Sequence, residues 1–343
     1  MNRRQLLAGL PLAGLAAPAF AQAPPPVATP TAPAQPRPAL ALLPPPTLPA
    51  TIVAGGLRFP EGPVVMNDGS LLFVEIQSRS INRLSAAGYV SLTAQLDGGP
   101  NGLAIGPDQA LYIANNGGRF SFNLRDGLTF PGQAPPEHVG GMIQRMDLNT
   151  GRVITLYDRC EGRRLVSPDD LVFDRQGGMW ISDYGKAGGD GGVFYARPDG
   201  SGIRLVKGGL TAPNGIGLSP DGSRLHVSMG QALYTWTIAG PGELSPGSAY
   251  PDGVQGRITG RSVCDSLKVL ADGRVAVCTL LAGGISIFDS AGKVEFIQCG
   301  DRMTTNIAFG GADMRDAWLT YSTTGRIAKM RWPYPGLAPA YRA

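Results

Sequence analysis

Six oxygen-bearing side chains recur in one local setting along this 343-residue chain. Each opens a short apolar run, and a polar turn residue follows seven positions later, as Asp221 follows Asn214. Three of the six are carboxylates and three are amides, so together they offer ligands for a hard divalent cation and groups for proton transfer. The six residues are Glu61, Asn101, Asp169, Asn214, Asp265 and Asn306.

The local pattern around each of these residues predicts a β-hairpin. Residues 213–228 read PNGIGLSPDGSRLHVS, in which two alternating runs flank a Pro-Asp-Gly turn. The six copies are 40, 68, 45, 51 and 41 residues apart, and a further strand pair follows the hairpin in each unit. Units of this length with four short strands are typical of propeller blades. The sequence therefore predicts an all-β fold, a six-bladed β-propeller with four antiparallel strands per blade.

The innermost strands of a propeller line its central channel, so the six residues should face one another there. Three carboxylates in a narrow channel would repel and raise one another's pKa unless a cation were bound. An all-oxygen ligand set favours Ca²⁺, and Mg²⁺, Mn²⁺ and Zn²⁺ stay open. The alternative is that Asn and Asp cap turns at strand ends, which does not account for Glu61.

Four motifs carry a family resemblance over residues 55–335. FPEGP, PNGIGLSPDG, DSLKVLADGRVAVCTL and TNIAFGG resemble the SMP-30/gluconolactonase/LRE-like family of six-bladed propellers. The resemblance implies one divalent metal in the channel and hydrolysis of a sugar lactone. It also implies that Glu61, Asn214 and Asp265 are metal ligands and that Asp265 acts as acid or base.

The third copy departs from the family pattern. It reads Pro168-Asp169-Asp170 where the family usually has Pro-Asn-Asp, and Ser167 lies near a position where some members carry arginine. The extra carboxylate of Asp169 is expected to tighten a hard metal and weaken its Lewis acidity, or to serve as a second base.

The predicted mechanism is metal-assisted hydrolysis of an aldono-1,4- or 1,5-lactone. Asp265 or Asp169 takes a proton from the attacking water, and Glu61, Asp169, Asn214 and Asp265 hold the metal. Substrate contacts are expected from residues that share the channel or follow the second strand of the third copy. These are Asn101, Tyr184, Lys186 and Asn306, with Asp183 beside them.

Two other functions stay open: a metal-dependent esterase or phosphotriesterase-like hydrolase on the same site, and a non-catalytic binding propeller with a structural Ca²⁺. A Ser-His-Asp triad is disfavoured because no G-x-S-x-G motif is present. The two histidines are His138 and His226, and the second falls in mid-strand. An insertion at residues 116–138, with three phenylalanines, is either a lid over the pocket or a surface loop.

The ends of the chain predict export. Residues 1–21 read as a signal peptide, with Arg3-Arg4 favouring the twin-arginine route and Ala19-Phe20-Ala21 as a cleavage site. Residues 22–50 form an Ala/Pro-rich segment typical of a disordered linker, and residues 51–343 form the propeller. We therefore expect a periplasmic or secreted protein with no membrane span in its mature form.

The composition of the chain indicates which kinds of partner it binds. Charged residues are 16% of the chain, the formal net charge is +4, and no basic stripe favours nucleic acid as a partner. We expect a small-molecule substrate and a monomer or small homo-oligomer. The four cysteines lack CxxC spacing. If Asp272-Gly273 forms a two-residue turn, Cys278 lies opposite Leu267 and not Cys264, so buried free thiols are expected.

Overall fold

The computed structural model describes residue 40 and residues 42–186, 188–246 and 253–343. The described residues contain strands and no helix. The strands in chain order are β1 (Ala50–Ala54), β2 (Pro60–Val65), β3 (Leu71–Glu75), β4 (Ser80–Leu84), β5 (Val90–Gln95), β6 (Pro100–Ile105), β7 (Leu111–Asn115), β8 (Phe122–Arg125), β9 (Leu128–Pro131), β10 (Met142–Met146), β11 (Val153–Tyr157), β12 (Arg159–Cys160), β13 (Arg163–Arg164), β14 (Pro168–Phe173), β15 (Met179–Asp183), β16 (Gly191–Ala196), β17 (Ile203–Leu210), β18 (Pro213–Leu218), β19 (Arg224–Met229), β20 (Ala232–Gly240), β21 (Glu243–Leu244), β22 (Val254–Arg257), β23 (Val263–Val269), β24 (Val275–Leu280), β25 (Gly284–Phe288), β26 (Val294–Gln298), β27 (Thr304–Gly310), β28 (Asp316–Tyr321) and β29 (Arg326–Arg331).

Six antiparallel sheets form the blades of a propeller, which confirms the predicted fold. Blades 1, 2, 3 and 5 each contain four consecutive strands of the ladder, with the first strand innermost. They are β2–β5, then β6, β7, β10 and β11, then β14–β17, and β23–β26. In blade 4, β20 pairs with both β21 and β22, so this sheet has five strands instead of the four predicted.

The six innermost strands close a ring. Each contacts the next in the order β2, β6, β14, β18, β23 and β27, and β27 in turn contacts β2. Blade 6 is completed by the N-terminal strand, because β1 pairs with β29 as the outermost strand of that sheet. Strands from opposite ends of the propeller sequence thus share one sheet, and no blade is left without its outer strand.

The hydrophobic core is divided among the six interfaces between blades. Each interface has its own cluster of buried apolar side chains, drawn from two neighbouring sheets. Between blades 3 and 4, for example, Trp180 packs with Ile216 and Trp236. Because burying one large apolar side chain contributes about 1.5–3 kcal/mol, each interface contributes substantially to the free energy of unfolding.

The cysteine prediction is confirmed, although the register behind it was wrong. All four cysteines are free and buried. Val269 pairs with Val275, so five residues connect the two strands instead of two, and a further shift places Cys264 opposite Thr279. The extra residues arise because the Leu270 N–H donates to the Arg274 carbonyl, which closes a wider turn than the predicted one.

The segments that flank the blades pack against the ring. The Thr47 N–H donates to the Gln298 carbonyl, so residues just before β1 contact blade 5. The C-terminal segment crosses one end of the channel. There the Leu337 N–H donates to the Val269 carbonyl, and the Asn67 N–H donates to the Ala343 carbonyl. This segment and the last residues of the innermost strands enclose a cavity of about 1050 Å³.

No helix long and apolar enough to cross a membrane was found among the described residues. The predicted signal peptide and most of the predicted linker lie outside the described residues.

Candidate active site

The innermost strand of every blade bulges next to its polar residue. In blade 3, three residue steps from Pro168 to Leu171 oppose only two steps on β15, and the same extra residue occurs in the other five blades. A bulge re-aims the side chains beside it, and bulges concentrate at functional sites. We call this end of the channel, where the innermost strands begin, the mouth.

Serine hydroxyls connect the bulge of one blade to that of the next. Ser228 on β19 donates to the Asp265 carbonyl at 2.5 Å and accepts the Gly215 N–H at 2.8 Å. Ser182 on β15 bonds in the same way to the Asn214 carbonyl, and Ser322 donates to the Pro60 carbonyl at 2.6 Å. These serines were missed by the sequence analysis. Their signal was a serine near the end of the second strand in blades 3, 4 and 6.

The backbones of neighbouring blades approach closely beside the polar residues. A Cβ atom at Gly62 would lie 2.1 Å from the Asn101 carbonyl oxygen, and one at Gly215 would lie 2.4 Å from the Leu267 nitrogen. Gly62 also has φ = 54°, a conformation that favours glycine. The glycine after the polar residue is therefore required at both positions, because a side chain there would collide with the backbone of the next blade.

The carboxylate of Glu61 is buried and held by three donors. Its Oε2 accepts the Gly62 N–H at 2.5 Å and the Asn306 amide at 2.8 Å, and Thr305 adds a further bond. Burial raises the pKa of Glu61, and these hydrogen bonds oppose that rise. Glu61 and Asn306 are 245 residues apart in the chain, and their side chains are in direct contact.

Asp169 and Asp265 are brought together at the mouth with Glu61. Burial raises the pKa of Asp169 well above its usual range, and the charges of Asp265 and Glu61 raise it further. Burial and the charge of Glu61 likewise raise the pKa of Asp265, while a hydrogen bond from the Asn214 side chain opposes the rise. The three carboxylates therefore disfavour full ionisation together.

An ion pair between a buried aspartate and a half-buried lysine lies below these carboxylates. Asp170 is 1% exposed, and its Oδ2 lies 3.5 Å from the Lys268 ammonium. Burial raises the pKa of Asp170 and Lys268 lowers it, so the pair supports the ionised form. The charge of Asp170 also raises the pKa of both Glu61 and Asp265. The second aspartate of the third-blade motif thus contributes to the field of the site, a role that the sequence analysis did not assign.

The residues predicted to contact the substrate differ in how deeply they are buried and in how close they lie to the carboxylates. Asn101 is buried at the start of β6. Tyr184 follows β15 and is close enough to Asp169 and Asp265 for their charges to raise its pKa, after the larger effect of burial. Asp183 accepts the backbone N–H groups of Val166 and Ser167 at 2.7 Å each, so it anchors the loop before β14. Lys186 is exposed at the next turn.

The insertion at residues 116–138 lies over the mouth. It forms the hairpin β8–β9. The Phe120 ring packs edge-on against the Tyr184 ring of blade 3, with 6.4 Å between the ring centres. The Phe122 ring contacts Phe59 before blade 1 at 5.2 Å, and the Thr129 N–H donates to the Thr323 carbonyl of blade 6. One segment thus touches three blades around the channel opening.

Buried polar atoms without hydrogen-bond partners concentrate in this region. Seven such side-chain atoms occur among the described residues. Five of them belong to residues at or just below the mouth, which is the pattern expected of a site that binds a ligand. They are Asn116 Nδ2, Arg119 Nε, Ser167 Oγ and Asn214 Oδ1, together with Asp170 Oδ2, which has the Lys268 ammonium as its ion-pair partner.

Neither histidine belongs to the carboxylate cluster. His226 lies within blade 4 and bonds through Nδ1 to the Thr235 hydroxyl, and burial lowers its pKa to about 4. His138 bonds through Nε2 to the Asn116 carbonyl. Among the described residues, no three side chains of His, Cys, Asp and Glu converge as the ligands of one metal ion. A metal centre is therefore not shown by the structure.

The SMP-30/gluconolactonase/LRE-like family model matches residues 59–323 of this chain. The chain belongs to this family. That confirms the resemblance predicted from the four motifs, and the matched range includes all six polar residues at the mouth.

Several proteins of known name are similar to the chain in part of its sequence or in its fold. A gluconolactonase from Zymomonas mobilis is 28% identical over 52% of this chain, and the match spans 51% of that protein. A solved gluconolactonase from Xanthomonas campestris is 21% identical, covering 87% of this chain and 99% of its own, with a TM-score of 0.67. A regucalcin from Agrobacterium tumefaciens, described as a calcium-binding protein, is 18% identical, covering 86% and 98%, with a TM-score of 0.66.

Proposed function

We propose that this chain is an exported, metal-dependent hydrolase that opens sugar lactones. The observation that carries the proposal is the cluster of three buried carboxylates, Glu61, Asp169 and Asp265, at the mouth of the channel. Burial and mutual repulsion raise the pKa of these groups toward the range in which a carboxylate can accept and return a proton near neutral pH. The similarity to a gluconolactonase supports a lactone as the substrate.

The carboxylate and amide oxygens at the mouth are of the type that a hard divalent cation prefers, although their carboxylates do not converge on one point. Asn214 Oδ1 is buried without a partner, and three carboxylates surround the same end of the channel. Glu61, Asp169, Asn214 and Asp265 would hold the ion through oxygen alone, which favours Ca²⁺. The calcium-binding regucalcin of similar fold supports this preference. When bound, the cation would supply Lewis acidity toward the lactone carbonyl and neutralise the carboxylates.

The protein's own groups perform the proton transfers. Asp265 accepts a proton from a water molecule as the water oxygen forms a bond to the lactone carbonyl carbon. The ring C–O bond breaks, and the proton passes to the departing ring oxygen, so that one water is consumed and a hydroxy acid is formed. Asn214 orients Asp265 through its hydrogen bond, and Asp169, whose pKa is also raised by burial, is the second group able to carry the proton.

The side chains around the cluster position the substrate. Tyr184 presents a half-buried phenol near Asp169 and Asp265, where it can bond to a sugar hydroxyl. Asn101 and Asn306 border the same opening, and Asn306 also holds Glu61. Lys186 is exposed at the rim and reaches only the outer part of a bound sugar. Phe120 and Phe122 of the insertion exclude water from the opening.

Hydrolysis assays on a panel of lactones, carboxylic esters and phosphotriesters test this function. We expect lactone hydrolysis that chelation abolishes and Ca²⁺ restores, with Mg²⁺, Mn²⁺ and Zn²⁺ tested alongside. Asp265→Asn should lower kcat by about 10²–10⁴-fold, the usual contribution of a positioned base. Asp272→Asn, in an exposed turn at the far end of the hairpin, is the matched control.

Three results would redirect the proposal. Lactone hydrolysis that survives both chelation and Asp265→Asn would contradict the mechanism. Preferred hydrolysis of esters or phosphotriesters would identify the alternative hydrolase on the same site. A folded, cation-binding protein that is inert on the whole panel would indicate a binding propeller instead.

A further inference from the structure

The insertion places an arginine without an ion-pair partner beside the acidic mouth. Arg119 follows β7, and no ion pair joins it to a carboxylate among the residues that the structure describes. Its Nε is buried and has no hydrogen-bond partner. The guanidinium lies 5.6 Å from the centre of the Phe120 ring, and that ring contacts Tyr184. A buried guanidinium nitrogen is costly to leave unpaired, so this position calls for an acceptor from a ligand.

Two more unpaired polar groups lie on the same side of the mouth. Backbone N–H groups of Gly118 and Arg119 both donate to Asn116 Oδ1 at 3.0 Å, which fixes the amide with Nδ2 unpaired. Ser167 Oγ is buried and unpaired as well, and the Ser167 carbonyl accepts the Tyr184 N–H. These donors of blades 2 and 3 thus lie beside the Asp169 carboxylate of blade 3, and the carboxylates of Glu61 and Asp265 belong to blades 1 and 5.

Donors and carboxylates together determine which charge a ligand can carry at the mouth. Three carboxylates at the mouth repel an anionic ligand, unless a cation compensates at the place where the ligand's charge lies. Arg119 is that cation, and its planar guanidinium matches the geometry of a carboxylate. The charge of Arg119 reaches the Tyr184 hydroxyl, which also senses Asp169 and Asp265, so the two halves of the site are adjacent.

We propose that Arg119, with Asn116 and Ser167, forms a carboxylate-binding subsite that selects lactones of sugar diacids over lactones of sugar monoacids. The proposal rests on the lactone hydrolysis proposed above and specifies its substrate class. In the bound complex, the lactone carbonyl lies at the acidic cluster and the free carboxylate of the same sugar lies at Arg119. Arg119 is a specificity residue and takes no part in proton transfer.

Two lactones that differ in one group provide the test. The five-membered-ring lactones of gluconic and glucaric acid share a ring, and only the second carries a free carboxylate. We expect the wild type to prefer the glucaric lactone in kcat/KM. Arg119→Gln should lower kcat/KM for that substrate by about 10–100-fold, the loss of a charged hydrogen-bond pair, and leave the gluconic lactone within about threefold. Arg119→Lys should recover part of the preference.

Matched controls separate recognition from folding. Arg163→Gln removes a positive charge from an exposed hairpin and should change neither substrate's kcat/KM. Open-chain glucarate should raise the melting temperature of the wild type and not of Arg119→Gln, and this binding test does not depend on turnover.

The outcomes distinguish the inference from the function beneath it. Equal losses on both lactones, or no change on either, would overturn the carboxylate subsite while leaving lactone hydrolysis intact. If neither lactone is hydrolysed, the proposed function fails, and stabilisation by glucarate that needs Arg119 would still support the subsite. Absence of both effects would reject the subsite and the lactonase proposal together.

Discussion

Burial and four neighbouring carboxylates all raise the pKa of Asp169. Loss of water is the largest effect, and the charges of Asp265, Glu61, Asp170 and Asp183 add to it. An asparagine at this position would keep the shape of the side chain and remove the repulsion. The cluster therefore holds a proton or a cation at Asp169 at some cost to the folded state.

We expect Asp169→Asn to stabilise the cation-free protein at pH 7 by on the order of 1–3 kcal/mol. The folded-state pKa of Asp169 is raised above the unfolded value of about 4, so its favourable contribution exists below that pH and is lost as the pH rises through the folded pKa. Calorimetric melting temperatures in chelator should show the gain at pH 7 and none near pH 4.

Asp221 supplies a control of opposite sign. It is exposed in a turn, and hydrogen bonds from Ser219 and Ser223 lower its pKa. Asp221→Asn should therefore reduce stability at pH 7, because a depressed pKa contributes stability above the unfolded value. A gain from Asp169→Asn that is the same at both pH values would show that repulsion is not its cause.

The residues of the site are positioned where a bulge in one blade meets the neighbouring blade. A bulge turns each innermost strand beside its polar residue, and a serine from the preceding blade bonds to the bulged backbone in three of the six interfaces. Ser228 on β19 donates in this way to the Asp265 carbonyl, and the Ser228 hydroxyl itself accepts the Gly215 N–H. Positioning thus belongs to the junction between two blades and not to either blade alone.

Ser228→Ala should loosen Asp265 while leaving the sheets intact. Two buried backbone groups lose their partner, so we expect a loss of about 1–3 kcal/mol in the free energy of unfolding and about tenfold in kcat/KM. Denaturant unfolding and steady-state kinetics measure these effects. Ser223→Ala, in the exposed turn of the same hairpin, should change kcat/KM little. Unchanged kinetics with reduced stability would limit Ser228 to a structural role.

At the scale of the whole molecule, the ring is closed by the N-terminal strand. Strand β1 pairs with β29 as the outermost strand of blade 6, and the Thr47 N–H donates to the Gln298 carbonyl of blade 5. The candidate active site lies at the channel mouth, and the insertion lies over it.

Export by the twin-arginine route remains a prediction from residues 1–21. In a bacterial host, we expect the full chain to be processed and recovered in the periplasm. Replacing Arg3 and Arg4 by lysine keeps the positive charge that a general signal needs, and should trap the precursor inside the cell. Fractionation with immunoblotting distinguishes the outcomes: unchanged export of the double variant would indicate the general secretory route.

The sequence by itself determined the repeat, the blade number and the six polar residues at the mouth. These follow from local rules, because turn chemistry and alternation act over a few residues and recur in each unit. The polar residue of each unit could be placed at a strand start, and the channel then brought the six together. Family membership followed from motifs of the same local kind.

Only the tertiary structure decided which of these residues touch and how their proton affinities differ. The bond between Glu61 and Asn306, the serines that hold the bulges and the ion pair of Asp170 with Lys268 all join different blades. The wider turn before Cys278 and the fifth strand of blade 4 also escaped the pattern. Contacts between blades depend on how far each sheet twists and bulges, and no local spacing encodes that distance.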